Sequence, residues 1–258
     1  MDFVNIGGER MHFLSIPYLP TRKVKYVIID YRTDKKIIKS LEEQGLTVFF
    51  TKKIDSLYDA VSGHADMGIC HLGGRNFVCE PSVYDYYAST LRLPGINLIK
   101  GSSAITSTYP YDIAYNVARV SNFAFHKIKY TDNEILDNLK NVSFVNVSQG
   151  YSKCSVCVVS KNAIITDDES IHNKAVENDI DVLLVSKGQI SLPGFDYGFI
   201  GGATGLISID VLAVTGNIKL HSDYDKIFDF CFKHGVKILC LSDDMPCDIG
   251  SIIPVAYE

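Results

Sequence analysis

Short apolar runs and amphipathic runs alternate along this chain in a repeated order. Residues 24–30 (Val-Lys-Tyr-Val-Ile-Ile-Asp) are an apolar run of strand length. Residues 33–44 then place Ile37, Ile38 and Leu41 at helical spacing, and Gly45 follows as a stop. Leu46 to Phe50 is the next apolar run. The phrase returns: Ile135, Leu136 and Leu139 predict a helix that leads into a strand from Val142. Tyr224 to His234 predicts another, stopped by Gly235 before a strand from Val236. Between apolar runs stand Arg75-Asn76, Ser121-Asn122, Lys161-Asn162 and Gly216-Asn217, each predicting a tight reversal. Such turns need positive φ, which Asn and Gly tolerate best.

Read together, these phrases form five copies of one unit. The first runs from His64-Ala-Asp66-Met-Gly68 to Asn76, and the second from Tyr111-Asp112-Ile-Ala114 to Asn122. The third runs from Gly150-Tyr-Ser152 to Asn162. A fourth reverses at Asn217, and a fifth begins Asp248-Ile-Gly250. Self-similarity at roughly 40–50 residues is the mark of a ring or array. One such unit cannot bury its own faces, whereas five around a closed ring can. The fifth copy is cut short by the end of the chain, so residues 1–22 are expected to supply the missing strand and close the ring. No linker-like stretch divides the sequence, and residues 1–258 are read as a single domain.

Composition narrows the function. A formal charge of −5, with Lys and Arg scattered, argues against a nucleic-acid partner. No apolar run approaches the ~18 residues of a membrane span, and the first residues lack a secretory pattern. Seven cysteines without such a pattern are expected to be free thiols in the cytoplasm.

A five-fold ring of helix and hairpin resembles the pentein fold, the α/β propeller of amidinotransferases, arginine and agmatine deiminases and dimethylarginine hydrolases. His64-Ala-Asp66 matches that family's His-x-Asp motif, and Gly150-Tyr-Ser-Lys-Cys154 resembles its nucleophile strand, two units later. The resemblance implies Cys154 as nucleophile, His64 as acid/base and Asp66 as a guanidinium anchor. It further implies a small cationic guanidino or amidine substrate and no cofactor. Family members end soon after the Cys unit. Two more units follow here, which implies a circularly permuted order. Thiolate attack suits the poorly electrophilic amidinium carbon, and carboxylates suit its N–H fork. Asp112 and Asp248 stand at places equivalent to Asp66 and are further candidates for substrate binding. The family's acidic pair after the Cys unit aligns with Ser208-Ile-Asp210, which keeps one acid. It aligns about as well with Phe195-Asp196 to Gly201-Gly202, which keeps Asp196 and turns both pair positions into glycine.

Several features admit plainer readings. The recurrent Asp residues could accept backbone N–H bonds at strand starts. Cys154-x-x-Cys157 has no second copy to complete a zinc site, and on a strand its thiols would face apart, so no metal is expected. His221-Ser-Asp223 precedes a helix and reads as a cap. Tyr84, Tyr86 and Tyr87 could pack a helix or serve self-association. The alternative to an enzyme is a non-catalytic pentein that binds a macromolecular partner.

Overall fold

The computed structural model describes residues 3–6 and 9–257. Local periodicity becomes local structure throughout. β3 (Tyr26–Ile29) and β4 (Thr47–Phe50) run parallel, joined by α1 (Lys35–Glu43), which buries Ile37 and Leu41. The Asp34 carboxylate caps α1 by accepting the Lys36 N–H at 2.9 Å. Gly45, at φ 81°, ends it, with Gly45 N–H to Glu42 O and Leu46 N–H to Leu41 O. Those two bonds satisfy carbonyls the helix would otherwise leave open.

The same plan recurs in four further sheets. The second holds β5 (Ile69–Gly73), β6 (Asn76–Cys79) and β7 (Asn97–Lys100), with α2 (Ala65–Gly68) before β5 and α3 (Tyr84–Thr90) before β7. The third holds β8 (Ala118–Val120), β9 (Phe123–His126) and β10 (Ser143–Asn146), with α4 (Asn133–Asn138). The fourth holds β11 (Val156–Ser160), β12 (Ala163–Thr166) and β13 (Asp181–Leu184), with α5 (Ser152–Ser155) before β11 and α6 (Glu169–Val176) before β13. The fifth holds β14 (Thr204–Ser208), β15 (Val211–Val214) and β16 (Lys237–Cys240), with α7 (Tyr224–Lys233). In each, the first pair is antiparallel and the second parallel.

The first sheet draws its antiparallel partner from the far end of the chain. β17 (Ile253–Tyr257) pairs with β3, Ile253 opposite Ile28, and is buried along its whole length. Residues 1–22 were expected in that place. β1 (Phe3–Ile6) and β2 (Glu9–Phe13) instead form a hairpin whose β2 joins the other side of β17, Ala256 opposite Phe13. Residues 1, 2, 7 and 8 lie outside the described residues.

Five hydrogen bonds tie the sheets into a ring. Asp66 N–H bonds Gly250 O (3.2 Å), Lys153 N–H bonds Asn116 O (3.2 Å), Gly202 N–H bonds Cys154 O (2.8 Å) and Ser251 N–H bonds Gly202 O (2.8 Å). Asn116 Nδ2 closes the circuit on Asp66 O (3.2 Å). Each bond joins the turn before one inner strand to the next, and the last returns to the first. The result is a five-bladed α/β propeller whose hub is made of those turns.

Three local expectations are corrected. The fourth hairpin reverses at Ile209-Asp210, between β14 and β15; Asn217 instead caps a short 3-10 turn by accepting the Lys219 N–H. None of the four turn asparagines has positive φ; Gly73, Gly74 and Ser121 carry it at the first two reversals. Cys154 lies on the helical turn α5, not on a strand. The tyrosine cluster packs α3: Tyr87 is buried, and Tyr86 Oη donates to Phe50 O at 3.0 Å.

Candidate active site

α2 and α5 are single helical turns placed immediately before β5 and β11. Asp66 therefore corresponds to Lys153, and Met67 to Cys154. Rotation of the unit puts an acid, a base and a thiol at related places on one hub.

Cys154 is 3 % exposed. Its Sγ lies 3.2 Å from both carboxylate oxygens of Asp66, and Asn116 Nδ2 approaches it at 3.2 Å. The thiol donates to the carboxylate, and the amide donates to sulfur. Ser251 Oγ donates to Asp66 Oδ2 at 2.7 Å and receives Lys153 Nζ at 2.8 Å. Lys153 is itself buried, its Nζ 4.8 Å from the Tyr18 ring centre. A row thus runs from Lys153 through Ser251 and Asp66 to Cys154. Burial lowers the Lys153 pKa and raises that of Asp66. Burial also pushes the Cys154 thiol well above its ordinary value, helped by the Asp66 and Asp248 charges. At rest the sulfur keeps its proton.

His64 precedes α2 and is 3 % exposed. Its Nδ1 stands 3.7 Å from Asp248 Oδ1 and has no hydrogen-bond partner. Burial lowers its pKa, so the imidazole is neutral near pH 7. Asp248 accepts the N–H groups of Phe199 (3.0 Å) and Gly250 (2.9 Å), and burial raises it to about 6. One donor atom each from His64, Cys154 and Asp248 fall within 4.8 Å of one another. Nitrogen, sulfur and oxygen donors so placed are of the types zinc accepts. Here, though, the thiol is engaged by Asp66 and Asn116, and the Asp248 oxygens by backbone N–H groups.

Two glycines make this approach sterically feasible. A Cβ on Gly202 would sit 1.9 Å from Asp248 Oδ1, and one on Gly250 (φ 67°) would sit 2.3 Å from His64 Cβ. The glycine at 202, one of the two acid positions lost on the second alignment, is the space that the Asp248 carboxylate fills.

Above the thiol lies a cavity of about 240 Å³. Tyr151, Leu192, Phe195, Tyr197 and Phe199 form its apolar wall, and His64, Cys154 and Asp248 also line it. No Arg or Lys does. Asp196 lines it as an exposed residue. Asp112 is buried behind Tyr151, whose hydroxyl donates to its Oδ2, and reaches the cavity only through that ring. Asp66 faces sulfur and does not line the cavity. Asp210 is elsewhere, at the β14–β15 reversal, where Ser208 Oγ donates to it at 2.7 Å. It lines a separate hollow with Lys23 and Gln44. Sequence reasoning missed Asn116, Lys153, Ser251 and the aromatic wall. A lysine between Ser152 and Cys154 ahead of the apolar run Val156 to Val159 was the one visible signal.

A family model described as a family of unknown function, DUF6873, matches residues 28–253. The chain belongs to that family. No curated protein matches it. Solved structures do. An agmatine deiminase from C. jejuni with substrate bound is 9% identical at a TM-score of 0.59, covering 99% of this chain and 98% of that one. The inosamine-phosphate amidinotransferase from Streptomyces griseus is 12% identical at 0.58, covering 94% and 96%. A DDAH from Pseudomonas aeruginosa complexed with citrulline is 8% identical at 0.55, covering 91% and 99%. Identities this low establish the fold, and the fold of this DUF6873 chain is the pentein propeller.

Proposed function

We propose that this DUF6873 protein is a cysteine-dependent enzyme that acts on a small guanidine or amidine cation. The observation that carries the reading is the convergence of His64, Cys154 and Asp248 within 4.8 Å at the floor of an apolar cavity. Cys154 is the nucleophile, His64 the acid/base and Asp248 the anchor for the amidinium N–H groups. Asp66 takes a different task from the one the resemblance implied: it accepts the thiol's hydrogen bond and orients sulfur.

A raised thiol pKa is compatible with this chemistry because the substrate brings its own charge. A cation about 4 Å from sulfur contributes on the order of 4 kcal/mol at an effective dielectric of 20. That equals about three pKa units and opposes the effect of burial. The thiol proton passes to His64 as sulfur attacks the amidinium carbon. His64 then gives that proton to the leaving nitrogen, the C–N bond breaks, and a thiouronium remains on Cys154. Water attacks it with His64 as base, the C–S bond breaks, and sulfur recovers its proton. An amine in place of water gives amidino transfer. The carboxylates of Asp196 and Asp248 in the cavity wall favour substrates without a carboxylate of their own. We further read the chain as one domain working in a reducing compartment, consistent with seven unpaired cysteines. A purely binding role is the weaker reading, because it leaves the buried thiol, imidazole and carboxylate unexplained.

Treatment with 2-chloroacetamidine followed by peptide mapping tests the proposal. Cys154 should be modified first although Cys240 and Cys247 are more exposed. Labelling spread over the thiols without preference for Cys154 argues against it.

A further inference from the structure

A second cavity, of about 400 Å³, adjoins the thiol chamber. His64, Leu192 and Asp248 line both, whereas Cys154 lines only the first. The wall of the second is charged. Arg32 is spent on Asp30, with Nε at 3.0 Å from Oδ1, and on the carbonyl of Ala60 at 3.0 Å. Lys36 is paired with Asp244 and lies 4.0 Å from Asp34. Two cations thus face four carboxylates, counting Asp248, and the cavity is net negative. His64, almost fully buried and with Nδ1 unpartnered, stands where the two chambers meet.

We propose that this second cavity is the subsite for the amine that leaves or accepts the amidino group, and that this amine is a diamine-type cation. The inference rests on Cys154 being the nucleophile. The reacting carbon must lie within reach of Sγ, hence in the first chamber. The leaving nitrogen must face His64, which borders the second. As the C–N bond breaks, its electron pair stays on the departing nitrogen, which takes the proton from His64, while the carbon keeps its bond to Sγ. The substituent on that nitrogen then extends into the acidic cavity. Its size falls among pockets that hold a whole small molecule and exceeds what ammonia needs. Its charge attracts a distal ammonium and repels a carboxylate. An apolar arm in one chamber and an aminoalkyl arm in the other define a two-armed substrate.

Calorimetric titration of the full chain with 1,4-diaminobutane, and with succinate as the dianion of equal length, tests the subsite. The diamine should bind saturably and succinate should not. Met245→Lys places a cation on an exposed side chain at this cavity alone, and Asp34→Asn removes a carboxylate while keeping the helix cap. Each should weaken diamine binding tenfold or more. Succinate binding, absence of diamine binding, or diamine affinity insensitive to both variants overturns the subsite. Because the titration needs no reaction, diamine binding as expected without Cys154 labelling would refute the nucleophile and keep the cation site. Labelling without diamine binding would do the reverse.

Discussion

Lys153 and Asp66 show how rotation of one unit builds a site from unlike residues. They occupy corresponding positions on α5 and α2, carry opposite charges, and meet through the Ser251 hydroxyl. Ser251 is held at φ 76°, a conformation that costs a residue with a side chain on the order of 1–3 kcal/mol and that clusters at functional sites. Removing one buried charge leaves its counterpart uncompensated. Lys153→Met and Asp66→Asn are each expected to destabilise the fold, and the double variant to lose less than their sum. Urea denaturation should give a coupling energy of roughly 1–3 kcal/mol. Strict additivity would separate the two residues. The sequence shows only that Lys153 stands beside Cys154 ahead of an apolar run; its meeting with Asp66 and Ser251 is a contact between distant units. His64 and Cys154 were legible, because His64 belongs to a His-x-Asp triplet and Cys154 stands ahead of an apolar run two repeat units later.

The strands and helices were readable because their signals are local. Apolar runs of four or five residues, helical spacing and stop glycines at 45 and 235 need no knowledge of distant chain. The reversals were less readable. Asn76, Asn122 and Asn162 mark where hairpins turn, but at the first two positive φ falls on neighbouring glycine or serine, and Asn217 marks no hairpin. Asp167, at the end of β12, illustrates a cost that only burial reveals. Its Oδ1 has no partner, and burial raises it to about 7. As pH climbs from below 4 through 7, the unfolded chain loses this proton before the folded one does, so the residue destabilises the fold progressively across that window. Asp167→Asn should therefore stabilise the protein at pH 8 more than at pH 4, by on the order of 3 kcal/mol. Denaturant midpoints at the two pH values check it; an equal effect at both would place that carboxyl in water.

At the scale of the whole molecule, the five hub bonds explain why residues far apart in sequence share one floor. The ring was foreseeable from the repeat; the strand that closes it was not, because the pairing of β17 with β3 is a contact between chain ends. Ile253, Val255 and Tyr257 are buried there. Burial of such side chains contributes about 1.5–3 kcal/mol each, a large share of a stability of about 5–15 kcal/mol. A chain lacking residues 253–258 should lose cooperative unfolding and the chemistry at Cys154 together. Retention of a cooperative transition in that truncated chain would mean that the ring does not depend on β17.

On the proposed chemistry, a cation at Asp248 activates the thiol of Cys154. The decisive quantity is the ratio of alkylation rates at Cys154 for 2-chloroacetamidine and its neutral counterpart 2-chloroacetamide, in the wild type and in Asp248→Asn. The ratio should stand at least tenfold above that of a simple thiol and fall to near that value in the variant. A ratio equal to that of a simple thiol in the wild type, or one unchanged by Asp248→Asn, would contradict it.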